Sequence, residues 1–384
     1  MIESLSARRS WRGCSIALSV AVSSSAIAGF VAPAHALTTE EILNYTAPDR
    51  QQVLEAGARR EGKVVIYSTT DSAAAQALLR EFRARFPKID VEYDDMNSTE
   101  VYNRFVSEAA AGAGSADLLW SSSMDLQIKL ANDGYAADYA SPASSKLPSW
   151  AIWKNQAYGT TFEPIGFAYN KRLLKPEEVP QSHAELAKAV KANPQRWTGK
   201  LCSYDPERSG IGYMLITQDR SDDPGFKDTL AAYGVAQTKV YTSTGAMLEK
   251  ITSGEHLLGF NMIGSYVIAK GKKDPNVGMV MPKDYMLVMS RIAILPKAAK
   301  HPNAGKVFLD FLLSQTGQEV IARKADLFAI RAGVTGEFTA TQLQAQLGDK
   351  LRPIPVGPQL LDALDPKKRL AFLRLWQETV HPAK

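Results

Sequence analysis

Cysteine is almost absent from this chain: its 384 residues hold two, Cys14 and Cys202. Cys14 falls in an N-terminal segment expected to be removed. That leaves Cys202 alone and excludes an intramolecular disulfide, so the fold must rest on its apolar core. Histidine is scarce too, with five in all. Beyond His35 they are His183, His256, His301 and His381, scattered and outside every turn assigned below to a ligand site. Neither a zinc site nor a histidine-based triad is supported. There is no Gly-x-Ser-x-Gly elbow, no His-Glu-x-x-His pair, no phosphate-cradling P-loop and no Gly-x-Gly-x-x-Gly after a strand, so an enzyme is not expected. A secreted hydrolase is the opposing class, and turnover of candidate esters would reveal it. Charge of one sign is not in excess either: the formal net charge is +5. Nucleic-acid binders concentrate basic charge on one face, so that class is disfavoured.

What the chain does have begins at its start. Arg8, Arg9 and Arg12 form a positive region, residues 16–31 are an apolar segment diluted by Ser and Ala, and Ala34-His35-Ala36 is a small-x-small cleavage site. Residues 1–36 therefore read as a signal peptide cleaved after Ala36, which places the protein in the periplasm. The segment is weakly apolar for a bilayer span, which needs ~20 predominantly apolar residues, and no later run qualifies. Cys14 follows Trp11-Arg12-Gly13, charged where a lipoprotein signal would be apolar. Arg8-Arg9-Ser10-Trp11 partly matches a twin-arginine signal but lacks the apolar follow-on, which favours ordinary unfolded export. The leader holds three arginines and one glutamate, a share of +2, so the mature chain keeps +3 of the total.

About 348 residues remain, more than one compact domain usually holds, and this suggests two lobes. Residues 37–61 look helical and peripheral. Then Lys63-Val64-Val65-Ile66-Tyr67 reads as a strand buried on both faces, Ser68-Thr69-Thr70 as a polar turn, and the stretch to Phe86 as an amphipathic helix ended by Pro87. Residues 89–93 alternate as a strand, and Asn97 with Glu100 forms a capping-box pattern. The grammar recurs: Asp117-Leu118-Leu119-Trp120 is a strand, Ser121-Ser122-Ser123 a polar turn, and a helix follows. Strands alternating with helices indicate an α/β fold with a largely parallel sheet, in which ligands sit beyond the carboxyl ends of the strands.

That rule selects the candidate ligand-binding residues. Ser68, Thr69, Thr70, Ser121, Ser122 and Ser123 offer hydroxyls and helix-terminal N–H groups suited to an oxyanion. Further along, Tyr158 to Lys171 reads as a strand leaving one lobe, a bend at Pro164, and a strand entering the next, with Thr161 at the crossing. The turn Arg208-Ser209-Gly210 adds a fixed planar charge and close backbone approach. Ser243 and Thr244 open another helix, and Asn261, Ser265 and Tyr266 follow a strand. Residues 286–295 pass back toward the first lobe through Arg291, and residues 303–321 read as one amphipathic helix. Glu163 is expected to be a hinge hydrogen-bond acceptor, and Tyr67, Tyr204 and Tyr241 to be packed.

The order "VVIYSTTD", "ADLLWSSSMD", "YGTTFEPIGFAYNKRLL", "SGEHLLGFNMIGSYVIAK" and "DYMLVMSRIAILPKAAKHPNAGKVFLDFLLSQTGQEVI" resembles the periplasmic solute-binding proteins of ABC importers, in the ferric-iron-type branch. The resemblance runs from about residue 63 to residue 321. It implies a two-lobed type II binding-protein fold with two hinge-crossing strands. Residues 37–163 and 286–335 would form lobe 1, residues 164–285 lobe 2, and residues 336–384 a helical tail packing on the lobes. It also implies ABC permease subunits as partners, a monomeric state and no cofactor. A membrane sensor kinase is an alternative partner that would read the same closed surface. Ferric-binding members place an adjacent tyrosine pair on the metal. Here that position reads Gly264-Ser265-Tyr266, and loss of one phenolate weakens the grip on a hard cation. The expected ligand is a small organic oxyanion (carboxylate, phosphate ester or phosphonate), with iron or an iron–anion complex as the alternative.

Overall fold

The computed structural model describes residues 47–114 and 116–381. The signal peptide expected over residues 1–36 therefore lies outside the described residues. Helix α1 spans Arg50–Glu61 and ends on Gly62 in the left-handed region. After it come β1 (Lys63–Ser68), α2 (Ser72–Arg85), β2 (Asp90–Asp95), α3 (Ser98–Ala110), β3 (Leu118–Ser121), α4 (Met124–Asn132), β4 (Ile152–Trp153) and β5 (Ala157–Gly159). The middle of the chain holds β6 (Glu163–Asn170), α5 (His183–Ala192), α6 (Pro194–Trp197), β7 (Leu201–Tyr204), α7 (Gly210–Asp222), α8 (Phe226–Val235), β8 (Lys239–Tyr241), α9 (Thr244–Ser253), β9 (Leu258–Ile263), α10 (Gly264–Lys273) and β10 (Val277–Val280). The chain closes with β11 (Met286–Met289), β12 (Ile292–Ile294), α11 (Pro302–Leu313), α12 (Gln315–Lys324), α13 (Ala340–Leu347), β13 (Leu351–Pro353) and α14 (Pro366–Val380).

Two sheets organise these elements. The first runs β2-β1-β3-β12-β5-β4; the second runs β13-β11-β6-β9-β7-β8, with β10 also paired to β6. In the first, β1, β2 and β3 are parallel, and β12 is antiparallel to both β3 and β5. Val64 and Ile66 face one apolar cluster, with Leu78, Phe82 and Phe308, while Val65 and Tyr67 face another, with Val101, Phe105 and Ile128. Helices cover both sides, which is why β1 reads as an unbroken apolar run. In the second sheet β7 is parallel to β8 and β9, and β9 is antiparallel to β6. The fold is the two-lobed α/β arrangement, with the carboxyl ends of β1, β2 and β3 and of β7, β8 and β9 carrying the turns of interest.

The lobes exchange chain at three places. Thr160 to Phe162 lead from β5 in the first sheet to β6 in the second. Ser290-Arg291 lead back, because β11 pairs with β6 and β13 while β12 pairs with β3 and β5. The stretch read as one segment over residues 286–295 is thus two strands of different sheets, and the return falls at Ser290 rather than at residue 286. A third passage brings β13 to the second sheet, in parallel register with β11. The tail is shared: Leu343 of α13 joins the first lobe's core, and Phe372, Trp376 and Val380 of α14 join the second lobe's core. The single helix expected over residues 303–321 is instead α11 and α12. Ser314 breaks it with an extended ψ of 165° and caps α12 by accepting from the Gly317 N–H.

Candidate functional site

A cleft of about 310 Å³ lies between the lobes, and every turn that builds it follows a strand. On the first-lobe side stand Thr69 and Asp71 after β1, then Asp95 ending β2 with Met96, Asn97, Ser98 and Glu100 after it, and Ser122 after β3. On the second-lobe side stand Tyr204 ending β7, Ile211 in α7, Thr242, Ser243 and Thr244 after β8, Ile263 ending β9, and Tyr266 in α10. Strand ends and helix starts thus meet across the gap, as the sheet topology dictates.

The two polar turns of the first lobe fasten to each other. Thr69 Oγ1 donates to Ser122 Oγ at 3.0 Å and accepts from the Ser122 N–H at 2.8 Å. Asn97 caps α3 by accepting from the Glu100 N–H at 2.9 Å, and its amide donates to the Glu100 carboxylate at 3.2 Å. Asp95 caps α2 by accepting from the Ser72 N–H at 2.8 Å. On the opposite wall Ser243 accepts from the Ala246 N–H, and Thr244 Oγ1 pairs with the Tyr204 hydroxyl.

Four hydrogen bonds around the cleft already bridge the lobes. The Asp71 N–H donates to the Tyr266 hydroxyl at 3.0 Å. Thr99 Oγ1 accepts from the Gly210 N–H at 3.1 Å and donates to the Arg208 carbonyl at 3.0 Å, while Ser98 Oγ accepts from the Ile211 N–H at 3.1 Å. The α3 start therefore satisfies the orphan donors of the α7 start. A Cβ at position 210 would lie 2.6 Å from Ser123 Oγ and 2.7 Å from Leu126 Cδ1, so any residue but glycine there forces its neighbours to shift.

Under the cleft floor sits Arg291, fully buried. Its Nε donates to Glu163 Oε1 at 3.3 Å, Nη1 reaches the Thr69 carbonyl at 3.5 Å, and its guanidinium carbon lies 5.1 Å from the Tyr266 ring centre. Neither Arg291 nor Glu163 is exposed. Burial holds the Glu163 carboxyl above its usual range, against the pull of Arg291. Glu163 stands where the hinge acceptor is expected. Burial likewise raises the Tyr266 phenol, with Arg291 opposing. Ferric ligation by a phenolate would work against that shift.

Of the candidate ligand residues, Thr69, Ser122, Ser243, Thr244 and Tyr266 line the cleft. The others do not. Arg208 turns out to solvent and pairs with Asp205 at 2.6 Å. Ser209 caps α7 by accepting from Gly212, and Gly210 gives its N–H to Thr99. Ser68 donates to the Trp120 carbonyl, Ser121 accepts from the Ser123 N–H, and Ser123 donates to Asp125. The Thr70 carbonyl accepts from Tyr93, and Thr161 accepts from the Arg291 N–H. Asn261 occupies a β-bulge with φ 57° and donates to Asp219 inside the second lobe. Ser265 is buried, with no partner for its hydroxyl among the described residues. Sequence reasoning missed Asp71, Asp95 and Glu100 as cleft residues, and it treated Tyr204 as packing alone. Residues 95–100 follow the second strand, so the rule that picked the other turns was the available signal.

Two α/β lobes with hinge crossings and a polar cleft at the strand ends define a solute-binding protein. Residues 77–343 match the family model described as bacterial extracellular solute-binding protein. The chain belongs to that family. It is 39% identical to the substrate-binding protein of an ABC transporter from Agrobacterium tumefaciens, with a TM-score of 0.80 over 83% of this chain and 94% of that one. The fold is shared with the periplasmic binding protein AfuA of Actinobacillus pleuropneumoniae, solved with fructose-6-phosphate bound (18% identity, TM-score 0.69, 84% of this chain and 99% of that one). It is also shared with the ferric binding protein of Campylobacter jejuni (18% identity, TM-score 0.64, 82% and 99%). By family the chain is an extracellular solute-binding protein, and the Agrobacterium protein it resembles is the substrate-binding protein of an ABC transporter. No helix among the described residues is long and apolar enough to cross a membrane.

Proposed function

We propose that this protein captures a small organic solute bearing an oxyanion in the interlobe cleft and delivers it to the permease. The supporting observation is the convergence of Thr69, Ser122, Ser243, Thr244 and Tyr266 at strand ends facing one gap. Ser122 Oγ and Ser243 Oγ only accept in the bonds described above, so their protons are available to a solute oxygen. The start of α9 adds N–H groups and the partial positive charge of a helix terminus.

Among the described residues, no three of His, Cys, Asp and Glu are grouped to hold a metal ion. Ser265 also stands where ferric-binding members carry one tyrosine of the metal-holding pair, so an organic solute accounts for the lining better than bare iron. A thermal-shift screen of organic acids, sugar phosphates, phosphonates and ferric citrate tests the reading. A solute that binds the native state at 100 times its Kd adds about 2.7 kcal/mol and raises Tm. A rise with oxyanion-bearing organics is expected. A rise with ferric citrate alone, accompanied by a visible phenolate–iron band, would sink the proposal.

A further inference from the structure

The two walls of the cleft differ in charge. Asp71, Asp95 and Glu100 all belong to the first lobe, and among the described residues no lysine or arginine side chain lines either wall. Carboxylates are acceptors only. The second-lobe wall carries no charge and offers the hydroxyl of Ser243 and the start of α9. The two arginines nearest the lobe junction are both held back: Arg208 by Asp205, Arg291 by Glu163 beneath the floor. Arg291 nonetheless has one donor to spare. Its Nη2 is buried without a partner among the described residues, and its guanidinium lies against Thr69 and Tyr266, which form the floor.

Two independent features thus point to opposite ends of one ligand. We propose that the solute is a zwitterion, with its oxyanion set toward the α9 start and the floor over Arg291, and a protonated amine set between Asp71, Asp95 and Glu100. This rests on the reading of the cleft as an oxyanion-solute site and narrows it to amino-bearing oxyanions. The bridging of the two walls by one dipolar molecule also explains how a solute favours closure: the amine engages the first lobe, and the oxyanion reaches the second-lobe wall as well as Ser122. An anion without an amine leaves three carboxylates facing it with no cation among them, and a simple amine leaves the floor donor unanswered.

Matched pairs differing only in the amine test the idea by titration calorimetry: phosphoethanolamine with ethyl phosphate, β-alanine with propionate, and glucosamine 6-phosphate with glucose 6-phosphate. For at least one pair the amine-bearing member should bind tenfold or more tightly than its partner. The Asp71→Asn/Glu100→Gln variant, checked for an unchanged melting profile, should erase most of that advantage while leaving the amine-free member as weak as before or slightly tighter. Equal affinity within every pair that binds overturns the zwitterion and leaves the oxyanion site standing. An advantage that survives carboxylate neutralisation overturns it as well. Binding of none of the six overturns the oxyanion-solute reading and this inference together.

Discussion

Gly210 is the point where the closed state can be tested with one atom. An alanine there would place its Cβ 2.6 Å from Ser123 Oγ, 2.7 Å from Leu126 Cδ1 and 3.2 Å from Ser98 Oγ, all on the opposite lobe. Leu126 can move its methyl aside. Ser123 is less free, because its hydroxyl is fixed on Asp125 at 2.8 Å. Separating the lobes by roughly half an ångström to one ångström would stretch the 3.0–3.1 Å bonds among Ser98, Thr99, Arg208, Gly210 and Ile211 past useful length. Those three bonds are worth about 1 kcal/mol each, so a loss of about 2 kcal/mol from the closed form is a fair expectation for Gly210→Ala. That lowers the closed-to-open ratio, and raises the apparent Kd of a solute that needs closure, by about 30-fold. Small-angle scattering should show a larger radius of gyration without solute, and calorimetry should show the weaker affinity. The Ser98→Ala/Thr99→Val variant separates the bonds from the overlap and should give part of the effect. An unchanged radius together with an unchanged Kd in Gly210→Ala would refute the reasoning.

Two other perturbations follow from buried charge. Arg291→Met should destabilise by about 3–5 kcal/mol in urea unfolding, because it strands the Glu163 carboxylate in a dry hinge; adding Glu163→Gln should recover part of the loss, and a loss below about 1 kcal/mol would count against the pair. Burial pushes Asp125 from an ordinary 3.8 up to about 6. A raised carboxyl favours the fold below its unfolded value and loses that advantage as pH climbs from about 4 to about 6, a swing of up to about 3 kcal/mol. Asp125→Asn lacks this swing, so its Tm relative to the natural protein should rise between pH 4 and pH 7. A flat difference would argue against it.

The fold was largely legible in the sequence because its strands are buried on two faces. Val64 to Tyr67 and Leu118 to Trp120 feed clusters on both sides of a sheet, and such runs announce themselves without help from distant residues. The site was legible where it follows the same local rule, at Thr69, Ser122, Ser243 and Thr244. It failed where partner choice decides. Arg208 looked like a ligand charge until Asp205, three residues earlier, took it. Asn261 looked like a strand-end donor, yet a bulge opposite Phe167 turned it to Asp219. The carboxylate wall was missed because Asp95 ends a strand that alternates and Glu100 opens the helix after it, and their placement beside Asp71 depends on which strands lie side by side.

The third passage of the chain, into Leu351–Pro353, changes the mechanics of the joint. Two crossings side by side act as a strip of tape, which lets two plates fold together and also skew. A tether leaving from a different edge removes the skew. Here that tether ends beside β11, next to the Ser290 crossing, and is then anchored by α14 in the second lobe's core. The tether lies past residue 343, where the match to the family model stops, so this restraint on the hinge belongs to the part of the chain that the model does not describe.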